Sequence, residues 1–338
     1  MVSLKRYHYR LWLKAEDNTI NTSKEKEFLK ISYSYKQLFV WKQSLKLRDM
    51  DSAKTITVGS KVYRPLLDET LTADDLQVAR EELSETPEST ESCLRLLKEM
   101  LREQNEFTPR TDDDYLMRFL RCRKFDSKKA FKMIREHYKF RKMNPGVYIS
   151  PSSIEQVLRA CIFDFLPHRD HKGRAIYVIR FNRWNPDKVS FTDFVAAGNL
   201  VAEYVLDNPV TQINGYIGLW DYKGFTLKQF RMFCNPKNTL MLANLMQDRF
   251  PGRFKIAYCV NCLPMVSTVW TILKQLMKEK FKNRVTILSS LEELYQHVDR
   301  SVLPKEYGGL LSIPDTKEIA QRVLDNEQYT NLNLKFGF

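Results

Sequence analysis

FKIAYCVNCLPMVSTVWTILKQLMKEKFK, residues 254–282, decides the fold. No charge falls between Ile256 and Leu273. That brings the run near the lower limit of about 18 residues for a helix crossing a bilayer. The composition argues for another reading. Phe254 to Val260 is β-rich, Asn261 and Pro264 interrupt the run, and the apolar residues beyond Pro264 recur at helical spacing. The segment reads as a strand leading into a helix, and no membrane span is expected.

The same alternation extends outward. Ala175-Ile-Tyr-Val-Ile-Arg-Phe, Tyr216-Ile-Gly-Leu-Trp-Asp and Val285-Thr-Ile-Leu are short β-rich runs. Helical patterns at 191–207, 226–247 and 264–282 separate them. Strands alternating with helices predict an α/β fold with a largely parallel sheet and right-handed crossovers. Before Pro151 the pattern is helical. Thr72-Ala-Asp-Asp starts one helix, and the run Ser84 to Ser92 breaks it. A second helix carries Leu94, Leu97 and Leu101 on one face. Tyr115 to Cys122 and a segment from Asp126-Ser127 to about Met143 follow. Four segments result: an extension over 1–70, expected to be poorly ordered; a helical bundle over 71–148; a sheet domain over 151–315; and a C-terminal tail over 316–338. Within the extension, residues 28–41 alternate like a strand but have no partner signal.

The 338 residues carry a net charge of +13, placed unevenly: +6 over 1–60, −8 over 61–115 and +15 over 116–338. A basic body favours polyanionic partners, whether nucleic acid, anionic membrane or acidic small molecules. Six cysteines in a chain of this length make no disulfide scaffold, and the first residues hold no apolar signal core, so a cytoplasmic setting is expected. The chain has no Walker loop, GxGxxG, GxSxG or HExxH. Catalysis, a metal site and a cofactor are therefore not expected. Cys259-Val-Asn-Cys262 stands where a thiol redox pair could sit, but reads better as two buried cysteines at a strand end. His168-Arg-Asp-His171-Lys-Gly-Arg reads as a solvated, hairpin-like turn.

Two basic stretches stand out. Residues 116–142 include Arg118 and Arg121, and Lys128, Lys132, Arg135, Lys139 and Lys142 share one helix face. The second stretch is Lys274, Lys278, Lys280, Lys282 and Arg284. Together they suggest an anion-binding surface. Between them lies a helix apolar over much of its girth: Val266, Trp270, Leu273, Met277 and Phe281 form one stripe, and Met265, Val269, Ile272 and Leu276 a second. Such a helix is buried on two sides, or faces a cavity inward and lipid outward.

Asp114-Tyr-Leu-Met-Arg-Phe-Leu-Arg-Cys-Arg-Lys-Phe-Asp126, with Tyr138-Lys-Phe-Arg141, resembles the N-terminal signature of the CRAL-TRIO lipid-transfer family. Asn214-Gly215, Leu219-Trp-Asp-Tyr-Lys-Gly224, Phe250-Pro, Val260-Asn261 and Leu303-Pro-Lys-Glu-Tyr-Gly-Gly309 resemble its later motifs in order. The spacing is most similar to the branch of tocopherol-transfer proteins, clavesins and retinaldehyde-binding proteins. The resemblance covers roughly residues 72–315. It implies a helical bundle on an αβα sandwich that encloses one hydrophobic lipid, under a mobile gate helix falling at 264–282, with Trp270, Leu273, Met277 and Phe281 on it. It further implies a lipid pocket at Val195, Ala202, Tyr216, Leu242, Leu245, Phe250 and Ala257, and a phosphoinositide headgroup site at Lys132, Arg253, Lys280 and Arg284. The expected protein is a monomeric, non-enzymatic lipid carrier. It would visit phosphoinositide-rich membranes, endosomal among them, as a peripheral protein and bind no nucleic acid. A clavesin-like trafficking regulator and a thiol oxidoreductase are the alternatives.

Overall fold

Side-chain caps open the helices of the N-terminal region. Thr72 caps α1 (Ala73–Leu83) and Thr86 caps α2 (Pro87–Glu103), each in a reciprocal capping box. Asp112 caps α3 (Asp113–Cys122) and Asp126 caps α4 (Ser127–Met143). The break after α1 is shorter than the Ser84–Ser92 run suggested, because Pro87 at the first helical position starts α2. Leu83, Leu97, Leu101, Leu116, Phe119, Leu120 and Ile134 are buried in the bundle core. The computed structural model describes residues 54–312 and 317–338, apart from the side chains of Asp248, Lys280 and Phe281. The alternation at 28–41 lies outside the described residues.

The sheet orders β3 (Phe163–Phe165), β4 (Ala175–Arg180), β5 (Tyr216–Asp221), β6 (Phe254–Val260) and β7 (Val285–Ile287) side by side. β3 runs antiparallel to β4, and the remaining pairs are parallel. The sequence reading missed β3: three residues are too few to show a period. Alternate residues sort to opposite faces. Ile176, Val178, Ile217, Leu219, Tyr258 and Val260 turn to a cluster completed by Leu294, Val298, Val302, Leu303 and Tyr307. Tyr177, Ile179, Tyr216, Trp220, Phe254, Ala257 and Cys259 turn to the larger cluster beneath the helices. An irregular register between β5 and β6 lets both Phe254 and Ala257 face that side.

The helical layer comprises α5 (Phe191–Leu206), α6 (Pro209–Asn214), α7 (Leu227–Cys234), α8 (Pro236–Asn244) and α9 (Pro264–Gln275). The pattern at 226–247 predicts one helix, but Asn235 caps a new start and Pro236 cannot continue the old one. The apolar run 256–273 resolves into β6 and the 12-residue α9, and no described helix is long and apolar enough to cross a membrane. α9 also ends earlier than expected, at Gln275. A separate turn, Glu279–Lys282, follows.

Two assigned segments need correction. Residues expected to belong to the poorly ordered extension form an antiparallel hairpin, β1 (Ile56–Val58) with β2 (Lys61–Tyr63), and Tyr63 and Leu66 are core residues. The His168–Arg174 turn does join two antiparallel strands, but it is solvated only at its tip: His171 and Lys172 are exposed, while His168, Arg169 and Asp170 are buried. Arg169 is 0% exposed. Its guanidinium donates to the carbonyls of Leu66, at 2.5 Å, and Gly173, at 3.2 Å. These two bonds hold the chain after the hairpin against the sheet domain. The tail contains α10 (Glu318–Asp325) and α11 (Glu327–Asn333), and Ile319, Ala320 and Val323 enter the larger cluster.

Bundle and sheet domain meet through paired polar groups. Asn214 donates to Asp75 on α1 at 2.6 Å, and Arg64 pairs with the same carboxylate at 2.8 Å. Arg118 and Arg121, counted in the basic stretch, are buried rather than presented to solvent. Arg118 pairs with Glu203 and Asp207 on α5. Arg121 binds Glu85 and Gln212.

Candidate functional site

The pocket residues expected from the resemblance come together in one cluster. Val195 from α5, Leu245 and Phe250 from the segment after α8, and Ala257 from β6 are buried there. Ala202, Tyr216 and Leu242 pack against them partly buried. Trp270 and Leu273 of α9 join the same cluster, and so does Met277 beyond the helix end. Phe281 lies outside the described side chains. α9 packs on α7 and α8. Val266, Val269, Trp270 and Leu273 form its inner stripe. Its second stripe is turned partly outward: Met265 and Ile272 are half-buried, and Leu276 is 44% exposed. Leu263, just before the helix, is 41% exposed.

The strand residues beneath the helices differ from ordinary core. Tyr177, Ile179, Tyr216 and Trp220 retain accessible surface. Yet burial drives the Tyr177 and Tyr216 phenols far above their usual range. Two cavities lie elsewhere. One of about 40 Å³ is lined by Tyr115, His137, Asn199 and Tyr329 among others. The other, an open cleft of about 340 Å³, runs along Asn261–Pro264 and Ile287–Leu291. Neither is lined by the expected pocket residues.

Of the four expected headgroup residues, two are placed near each other. Gly215 sits at φ +80°, and a Cβ there would stand 2.2 Å from the Arg253 carbonyl oxygen. Only glycine lets α6 turn into β5 this close to Arg253. The Arg253 guanidinium donates to the Ile213 carbonyl, and to Glu82 on α1 at 2.5 Å. Arg284 donates to the Phe254 carbonyl. Its guanidinium is pushed down by burial and then by the nearby charge of Arg253. Arg284 lies past the turn Glu279–Lys282, so it does not share a helix face with Lys280 as the spacing of four suggested. The Lys280 side chain lies outside the described residues. Lys132 is exposed on α4, one turn before Glu136. Glu136 approaches Arg249 at 3.5 Å. His137 beside it bonds the Arg249 carbonyl through Nδ1 at 2.6 Å.

Family models match on both sides of this arrangement: "CRAL/TRIO, N-terminal domain" over residues 74–136 and "CRAL/TRIO domain" over 160–309. The chain belongs to the CRAL/TRIO family. It is 36% identical over 250 residues to human "Alpha-tocopherol transfer protein-like", covering 73% of each chain. Human "Clavesin-2" is 28% identical over 263 residues, covering 76% of this chain and 80% of that one. Rat "Clavesin-1" is 29% identical over 272 residues, covering 77% of each.

Sequence reasoning missed two residues beside Arg253, the basic Lys255 and the acidic Glu82. Lys255 reaches Glu82 at 2.8 Å, so Lys255 and Arg253 converge on one carboxylate. Burial alone would raise the Glu82 carboxyl, but the bonds from Lys255 and Arg253 outweigh it and hold the group at about 2. The closeness of Arg253, just before β6, to Lys255, its second residue, was a usable signal. Glu82 gave none, being one acid among many in an acidic stretch. The two thiols also meet. Cys259 is buried and its thiol is raised, first by its hydrogen bond with Cys262 and then by burial. Cys262 is lowered by the same bond. Among the described residues no group of three or more His, Cys, Asp or Glu could hold a metal ion.

Proposed function

We propose that this protein carries one hydrophobic lipid, tocopherol-, retinoid- or phospholipid-like, in the cluster beneath α9, and exchanges it at membranes containing phosphoinositide. The observation that carries this reading is the gate. α9 covers Val195, Leu245, Phe250 and Ala257 with one stripe while Leu263 and Leu276 stand at its outer surface. Beyond Pro264, the exposed positions of α9 itself are polar, Ser267, Thr268, Thr271, Lys274 and Gln275, so the apolar contacts offered to a bilayer are the flanking Leu263 and Leu276, and lifting α9 into lipid would bury its inner stripe there. Tyr177, Ile179, Tyr216 and Trp220 keep partial exposure beneath the helices, and this reading assigns that surface to the ligand.

Magnitudes agree with a shuttle. Burying a ligand of about 15–20 apolar carbons is favourable by roughly 12–16 kcal/mol, so release into water is very slow and unloading needs a membrane. Lys132, Arg253, Lys280 and Arg284, with Lys255 beside them, would take the headgroup. A handful of basic groups gives on the order of 4 kcal/mol at an anionic surface, enough for transient docking in the cytoplasm without anchoring. The protein acts as a monomer and without catalysis in this reading. Native mass spectrometry of the purified protein, followed by lipid extraction, tests it: one lipid per chain is expected, and a lipid-free protein that takes up none from vesicles overturns the carrier. The clavesin relatives favour a second reading, a phosphoinositide-sensing trafficking regulator. Phosphoinositide binding without transfer of lipid between vesicles would select it.

A further inference from the structure

Glu82 stands at the meeting point of two of the basic groups. We propose that it determines headgroup specificity, as an internal counter-ion that a phosphomonoester displaces and a singly charged lipid headgroup does not. The inference rests on the headgroup role given above to Arg253.

The two sides of the ion pair are held differently. Arg253 is tied to the Ile213 carbonyl, and Arg284 beside it to the Phe254 carbonyl. Backbone carbonyls near the end of α6 and at the start of β6 therefore fix the two guanidinium groups. Their side chains and that of Lys255 are well covered, at 11% exposure for Arg253 and 25% for Lys255. Glu82 comes from another element, near the end of α1, and its side chain is 47% exposed. It is the partner free to swing into water. Three cations and one carboxylate leave a local excess of positive charge, and the occupied position is the one an anionic ligand would take.

The charges then decide which ligand succeeds. Replacing Glu82 by a phosphodiester or a serine carboxylate exchanges one negative charge for one, and leaves the displaced carboxylate to be resolvated. A phosphomonoester brings about −1.5 to −2 at neutral pH and three acceptor oxygens. It can meet Arg253, Lys255 and Arg284 together through charge-assisted bonds. The carboxylate thus sets a threshold that favours phosphorylated inositol over phosphatidylserine.

Co-sedimentation of the full chain with three vesicle sets tests this: phosphatidylcholine alone, with phosphatidylserine, and with phosphatidylinositol bisphosphate at matched total charge. Glu82→Gln keeps the size and removes the charge, and its unchanged melting temperature would certify folding. Binding of this variant to phosphatidylserine vesicles should rise about fivefold, the effect of one freed basic charge at an anionic surface. Binding to bisphosphate vesicles should rise less, so the ratio between the two falls. Free inositol trisphosphate should displace the variant from bisphosphate vesicles at lower concentration than it displaces the original protein. Equal rises on both vesicle types, no rise on either, or failure of the free headgroup to compete overturns the proposal. An original protein that does not prefer bisphosphate vesicles defeats the headgroup reading instead, whatever the variant does.

Discussion

The two faces of the central sheet are made by the same strands and filled in different ways. On one, Ile176, Val178, Ile217 and Leu219 are at most 1% exposed and lock against Leu294, Val302 and Leu303, equally buried. On the other, the alternating Tyr177, Ile179, Tyr216 and Trp220 keep surface under a roof of helices. The first face uses branched aliphatic residues that interdigitate at crystal-like density. The second uses aromatic residues and the small Ala257, and its roof includes Ala202 of α5 and the helix α9, flanked by the exposed Leu263 and Leu276. One face holds the fold, and the proposed function assigns the other to cargo. A single period-two alternation, read twice, separates the two roles.

The comparison breaks most easily at its solid side. Leu303→Ala should cost about 2–5 kcal/mol, as buried leucine truncations do, while lipid bound per folded molecule stays unchanged. Denaturant titration beside lipid quantification reads both, and loss of lipid without loss of stability would reverse the assignment of faces. On the cargo side, Ala202→Phe should exclude lipid at a stability cost below about 1 kcal/mol, because the ring enters space meant for ligand. A cost of about 1–3 kcal/mol, typical of overfilling a packed core, would show that this face is solid too.

Acid sharpens the contrast. His137 sits where α4 meets the segment carrying Leu245 and Phe250. Burial, then the charge of Arg141, lowers it to about 3 from an ordinary 6.5. Between those values the unfolded chain binds a proton that the folded protein refuses, so stability present above pH 6.5 falls as the pH drops through that window. His137→Asn should flatten the slope in a melting series from pH 7.5 to 4.5. An unchanged slope would place the acid sensitivity elsewhere. The smallest stability effect belongs to the outer surface of the gate. Leu263→Ser with Leu276→Ser should change stability by no more than about 0.5 kcal/mol per site, yet slow lipid delivery to vesicles severalfold. Unaltered transfer rates would remove those leucines from membrane contact.

Much of the architecture was legible because its signals are local. β5 and β6 begin and end where their apolar runs do, and Thr72 and Asp126 cap the helices their positions announced. Failures fell where a local pattern was overridden or too short. Asn235-Pro236 divides a helix that hydrophobic spacing alone runs together. Arg284 is separated from the helical turn of Lys280 because the chain runs into β7 after Lys282. The hairpin before Arg64 looked like extension because its few apolar residues find partners only in a distant turn.

By itself the sequence determined the α/β class, the order of bundle and sheet, the apolar inner stripe of α9 and the general basicity. Each rests on periodicity, capping or composition, and these act within a turn or a strand. Tertiary structure alone decided which charges are buried and which are paired. Arg118, Arg121 and Arg169 became internal fasteners. Arg253 met a carboxylate 171 positions away. The reason is physical: a charge's role depends on the dielectric around it and on what packs within a few ångströms, and neither quantity exists until the elements have assembled.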